Sequence, residues 1–199
     1  DPACIRAAIT ERTRAIIPVH YAGVGCDMDA IMEIAAEYNL QVIEDAAQGV
    51  NARHHSQTLG AIGDLGAYSF HQTKNFSCGE GGALCINDEA LIERAEIVRE
   101  KGTNRSQFLQ GTVDKYTWVD VGSSYLPSEL TAAFLLGQLE AVETITQQRR
   151  ECYQRYMELF QGSAEAGKMT LPVIPDACRS NYHLFHILLP TPQQRQELI

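Results

Sequence analysis

Residues 14–46 read RAIIPVHYAGVGCDMDAIMEIAAEYNLQVIEDA, and the order of patterns within them decides the fold. The run RAIIPV (14–19) is β-rich and gives way to a histidine and the glycine-containing turn HYAGVG. Asp27 then stands where a side-chain oxygen can accept the unpaired N–H groups of a helix start. In DMDAIMEIAAEYN (27–39), Ile31, Ile34, Ala35 and Tyr38 recur at helical spacing, which predicts one buried face. LQVIEDA (40–46) returns to β-rich apolar residues. Strand, helix and strand over this length predict a βαβ unit with parallel strands, because such a pair needs a long crossover between its members.

The pattern continues outward. DLGAYSF (64–70) and GALCIN (82–87) read as a third and a fourth strand. Asp88 is placed to cap a helix over 89–102 that stops at Gly102. Residues 103–127, with the only tryptophan, Trp118, read as irregular. A single helical pattern then runs from Ser128 to Gly162, longer than an average globular helix. Helices of that length often bridge two domains or lie along a dimer seam. LPVIPDACRS (171–180) reads as a linker, and YHLFHILLP (182–190) as the first strand of another domain. The expected organisation is part of a large α/β domain over 1–127, a connecting helix over 128–162 and the start of a small C-terminal α/β domain over 163–199. The large domain should hold a mixed, mostly parallel sheet flanked by helices.

Composition excludes several classes of function. The chain is 45% hydrophobic and 21% charged, as globular proteins are. Its net charge of −9 disfavours nucleic acid and anionic membranes as partners, while leaving room for an anionic small ligand in a locally positive pocket. No stretch reads as a membrane span or a secretory signal, and a cytoplasmic setting is expected. Six cysteines contain no C-x-x-C pair, so free buried thiols are expected and no metal site is.

Ligands of open α/β sheets bind at the carboxyl ends of the strands. The first strand ends in His20 and Tyr21, the second in Asp45 and Gln48, the third in Ser69 and Lys74. Taken singly, each has an ordinary reading: a sheet plug, a helix cap, a turn hydroxyl, a solvated surface charge. Together they suit pyridoxal phosphate. Lys74 supplies the amine for a Schiff base. Asp45 supplies a carboxylate that keeps the pyridine nitrogen protonated. Gln48 reaches the ring hydroxyl and Ser69 the phosphate. The turn GEGG (79–82) carries the backbone from the lysine back into the sheet.

The motifs PVHYAG, MDAI, VIEDAAQ and GDLGAYSFHQTKNFSCGEGGAL, in that order, resemble the DegT/DnrJ/EryC1/StrS sugar aminotransferases, which are fold-type I pyridoxal-phosphate enzymes. The resemblance runs from Arg14 to the strand near His183. It implies that Lys74 binds the cofactor and shuttles the proton, with Asp45, Gln48 and Ser69 in the contacts just named. Relatives that dehydrate their substrate carry histidine at the lysine position, so Lys74 implies transamination. The implied partners are glutamate as donor, a dTDP-linked 4-keto-6-deoxy sugar as acceptor and a second copy in a homodimer. His20, Tyr21 and His183 are the residues expected near substrate. Many relatives read GYNYR where this chain reads GSSYL (122–126), so Ser124 stands where an asparagine reaches the other subunit's cofactor phosphate, and Leu126 replaces the arginine. The resemblance also implies a further N-terminal segment and more of the C-terminal domain, so these residues alone are expected to be inactive. The alternatives are a transaminase for another nucleotide keto sugar, such as a perosamine or 3-amino-sugar synthase, and a regulator that binds the cofactor without turnover.

Overall fold

The computed structural model describes residues 1–199. The chain begins with α1 (Pro2–Ala8), β1 (Ala15–Ile16), a 3₁₀ turn (Tyr21–Gly23), α2 (Met28–Tyr38) and β2 (Gln41–Asp45). Asp27 accepts the Ala30 N–H and so caps α2, and Asn39 closes it in the left-handed conformation. The apolar face of α2 is buried at Met28, Ile31, Ile34 and Ala35, with Met28, Ile31 and Ala35 packed on Val42 of β2, but Tyr38, which the spacing placed on the same face, is exposed at the helix end. Two short strands follow, β3 (Arg53–His54) and β4 (Gln57–Thr58), and then β5 (Leu65–Ser69) and β6 (Gly82–Ile86).

The central sheet has the order β1-β2-β5-β6. β1, β2 and β5 are parallel, and β6 runs antiparallel to β5. The architecture is therefore α/β with a mixed, mostly parallel sheet. A second sheet, absent from the sequence reading, joins β4 and β3 to β7 (Cys178–Arg179). β7 lies in the stretch read as a linker, and its pairing with β3 ties the C-terminal residues to the segment after β2.

The helices correct three expectations. Asp88 caps its segment as expected, but Glu89–Leu91 is a 3₁₀ turn that leads into α3 (Ile92–Arg99). The region read as irregular holds α4 (Arg105–Leu109). The long helix is interrupted at Ala141, giving α5 (Glu129–Glu140), capped by Ser128, and α6 (Val142–Glu165). The run 182–190 is no strand. It makes one isolated bridge, Thr170 with Leu188, and packs its aromatic rings on α6. The final element is α7 (Pro192–Leu198). All six cysteines are free, but none is buried; Cys4 and Cys152 are exposed.

Candidate active site

β2 and β5 are parallel neighbours in which Asp45 is in register with Ala67. Asp45 and Ser69 therefore leave the sheet at the same edge. Beyond Ser69 the chain makes a loop closed at its base by ladder bonds, Phe70 N–H to Gly81 O and Gln72 N–H to Gly79 O. Phe76, 1% exposed, anchors this loop in the core. Lys74 sits on the loop, where its N–H donates to His71 O.

Gln48, Ser69, Lys74, Asn75, Asn181 and His183 line one open cleft that encloses about 10 Å³. Complete small-molecule pockets are far larger, about 300 Å³ and upward, so these residues form part of a site's wall. Two of its three functional groups are pre-set by their other bonds, and the third is free. Gln48 Oε1 accepts the Ala22 N–H at 2.6 Å, which leaves the Gln48 amide N–H groups as donors. Ser69 Oγ accepts the His71 N–H at 3.3 Å and keeps its own O–H to give. Lys74 Nζ takes part in no ion pair or side-chain hydrogen bond. Asp45 stands at the end of β2 and does not line the cleft itself. Its Oδ1 accepts the Ala47 N–H at 3.1 Å, so the start of the Gln48 loop is fixed by that carboxylate.

Two asparagines, missed in the sequence, hold the cleft together. Asn181 Nδ2 donates to Gln48 O at 2.8 Å and to Val50 O at 2.7 Å. Asn75 Nδ2 donates to Asn181 O at 2.8 Å, and Asn75 Oδ1 accepts from His183 Nδ1 at 2.8 Å. Three segments distant in sequence are thus bonded around Lys74. Arg149 of α6 fixes the third by donating to the Tyr182 and His183 carbonyls. His183 is buried at the cleft. Burial, with help from the Lys74 and Arg149 cations, pushes its pKa down to about 4. It is therefore neutral near pH 7, with its proton on Nδ1 and the Nε2 lone pair free. Asn75 had one available signal, its place beside Lys74; Asn181 had none.

Three other residues lie elsewhere. His20 is fully buried, with Nε2 2.8 Å from Glu44 Oε2 and Nδ1 accepting the Cys26 N–H at 3.1 Å. Both ring nitrogens are engaged inside the core, so His20 is a structural residue and the expectation of substrate contact is corrected. Tyr21 is exposed and off the cleft, next to the Ala22 that holds Gln48. Ser124 is exposed and bridged to Glu100 through the backbone, also away from the cleft.

The donor set suits pyridoxal phosphate: an unpaired amine, a hydroxyl, a free amide donor and a carboxylate at adjacent strand ends. Comparison with known proteins agrees. The family model described as the DegT/DnrJ/EryC1/StrS aminotransferase family matches residues 1–199. The spore coat polysaccharide biosynthesis protein SpsC of Bacillus subtilis is 34% identical over 188 residues, covering 93% of this chain and 48% of SpsC. The crystal structure of S. venezuelae DesV in complex with a ketimine intermediate aligns with TM-score 0.83 and 31% identity, over 99% of this chain and 50% of DesV. DesI, solved in the presence of its TDP-sugar product, aligns with TM-score 0.79 and 27% identity, over 94% of this chain and 45% of DesI. The chain spans about half the length of these relatives.

Proposed function

Because the chain belongs to the DegT/DnrJ/EryC1/StrS aminotransferase family, we propose that the full-length protein is a pyridoxal-phosphate-dependent aminotransferase that moves an amino group from glutamate to a nucleotide-linked keto sugar. The observation that carries this reading is the unpaired Lys74 amine on one cleft with Ser69 and Gln48, at the strand edge where Asp45 ends β2. DesI, with its TDP-sugar product, and SpsC, with its polysaccharide role, support a nucleotide-sugar acceptor. The specific reading is a dTDP-4-keto-6-deoxy sugar converted to dTDP-4-amino-4,6-dideoxygalactose. Its use would be surface polysaccharide synthesis of the enterobacterial common antigen type, in the cytoplasm.

Pyridoxal phosphate, when bound, would supply the electron sink for charge that develops at the substrate carbon. This chain's residues do the rest. Asp45 holds a proton on the pyridine nitrogen by charge pairing. Gln48 donates to the ring oxygen through the amide group that its bond to Ala22 leaves free. Ser69 donates to the phosphate. Lys74 Nζ removes and returns the substrate proton, a contribution of about 10²–10⁴-fold for a well-placed base. His183 lends a neutral Nε2 acceptor at the substrate edge. Ser124 reaches the phosphate of the other subunit in a homodimer.

The test is the visible absorption spectrum of the full-length protein with pyridoxal phosphate, before and after glutamate. A lysine-bound cofactor band that glutamate bleaches, and that Lys74→Ala lacks along with all turnover, is the expected result. A Lys74→Ala variant with normal turnover would overturn the reading. A panel of nucleotide keto sugars then tests the acceptor, and preference for a sugar other than the 4-keto-6-deoxy compound would replace the specific product.

A further inference from the structure

A second cluster lies on the small sheet, away from the cleft. His54 ends β3 and is paired through the backbone with Gln57 on one side and Cys178 on the other. His55 opens the tight turn into β4 with φ of +51°, a region non-glycine residues enter rarely. Consecutive strand residues normally point to opposite faces. The left-handed turn brings the two rings together instead, edge to face with centroids 4.5 Å apart. Facing them is Asp29, in the first turn of α2. One of its oxygens, Oδ2, lies 3.0 Å from His55 Nε2 and 3.4 Å from His54 Nε2.

The three potential ligand atoms lie within 4.8 Å of one another. A tetrahedral zinc ion with ligands at about 2.0–2.1 Å spaces them about 3.3–3.5 Å apart, so an ion fits once the widest pair closes by at most roughly 1.5 Å. His54 adds an independent indication. It is 3% exposed, and its Nε2 is buried without a hydrogen-bond partner. Its other nitrogen, Nδ1, lies 3.9 Å from Cys178 Sγ, and that thiol donates to Gly25 O. With the ring proton on Nδ1, toward that sulfur, the Nε2 lone pair faces the Asp29 carboxylate. In that tautomer a cation between the two electron-rich atoms satisfies both. Metal-bound histidines are commonly oriented in this way, through the nitrogen that does not bind.

We propose that Asp29, His54 and His55 form a zinc site, with Asp29 Oδ2 and the two Nε2 atoms as ligands and the fourth position open to water. Imidazole and carboxylate donors suit zinc among the available divalent ions. The metal ties the start of α2 to the β3–β4 turn. β3 follows the Gln48 loop, and β7 beside it precedes Asn181, so the site braces two segments that wall the cleft.

The experiment uses untagged full-length protein dialysed against chelator and titrated calorimetrically with Zn²⁺, with Co²⁺ as the spectroscopic reporter. One Zn²⁺ per chain is expected, with visible Co²⁺ bands and no thiolate charge-transfer band. His55→Gln and Asp29→Asn, both at exposed side chains, should fold normally and each weaken Zn²⁺ binding at least tenfold. Zn²⁺ should raise the melting temperature of the unaltered protein and not of His55→Gln. No stoichiometric binding would make the cluster an ion pair only and overturn the proposal. Unchanged affinity in both variants, or a thiolate band, would place any zinc elsewhere and overturn it equally.

Discussion

Glu44 has no exposure to water, yet its two carboxylate oxygens meet four donors. Oε1 accepts from Ile62 and Gly63, each at 2.7 Å; Oε2 accepts from Gly60 at 2.7 Å and from His20 at 2.8 Å. Burial works to raise its pKa, but His20 and the three backbone N–H groups outweigh it and hold the carboxyl below its ordinary 4.5. A depressed folded value means stability that is complete above about pH 4.5 and lost as pH falls through the folded pKa. His183 acts in the same direction and earlier. Its ordinary value of 6.5 falls to about 4, so its contribution is present above pH 6.5 and is lost between there and 4. Melting temperature measured against pH should therefore drop in two stages. His183→Gln, which keeps a donor for Asn75, should remove the upper stage. Glu44→Gln should cost about 3 kcal/mol at neutral pH, because its NH₂ would face N–H donors, and should flatten the lower stage; two unchanged stages in these variants would refute the assignments. Gly23 is constrained by a neighbour. Its φ is +77°, and a Cβ there would lie 1.8 Å from Asn181 Oδ1. Gly23→Ala should destabilise by about 1–3 kcal/mol, read by denaturant titration.

At the scale of elements, the same asparagine is the clamp between three loops. Asn181→Ala leaves the Gln48 and Val50 carbonyls without their donor, at about 1–3 kcal/mol. Hydrogen exchange should show residues 46–52 and 180–183 opening together in that variant; protection unchanged in both would remove the clamp role. Local signals made much of the fold legible. Asp27 and Asp88 cap where they were expected to, the helical pattern read from Ser128 does begin there, and the spacing in α2 identified its buried face up to Ala35. What escaped depends on partners far along the chain. Asn75 and Asn181 are 106 residues apart, and β3 finds β7 across more than a hundred residues. No proline or glycine marks the break at Ala141. The run 182–190 has strand-like composition, but its rings had a better surface: Tyr182 and Phe185 lie 5.3 and 5.2 Å from Tyr153 of α6, and Phe185 lies 5.1 Å from Tyr156. Lys74 with Ser69 and Gln48 was legible because strand ends gather side chains predictably. His20 misled because a strand-end histidine can equally turn inward, and the buried Glu44 drew it there.

For the molecule as a whole, the surface is as informative as the core. Only 29 of 199 residues are buried, although the composition could fill a larger interior. α5 has no buried residue, and its Leu130 and Phe134, one helical turn apart, are both exposed. A groove between β6 and α3 is lined by Leu84, Ile86, Ile92, Val98 and Leu126. Trp118 and Val121 stand exposed in the preceding segment. Apolar surface on this scale marks contact with other protein, and it fits the proposed homodimer of a longer chain. The 199 residues expressed alone should therefore bind a hydrophobic dye strongly and self-associate with rising concentration in sedimentation velocity. Leu130→Ser combined with Phe134→Ser should reduce both effects without loss of helix signal, since neither side chain contributes to the core. The full-length protein should bind little dye per chain and sediment as one species. Dye binding by the full-length protein equal to that of the 199 residues would mean that these faces stay open in the intact molecule. That outcome would remove these faces as the contact surface of the proposed homodimer.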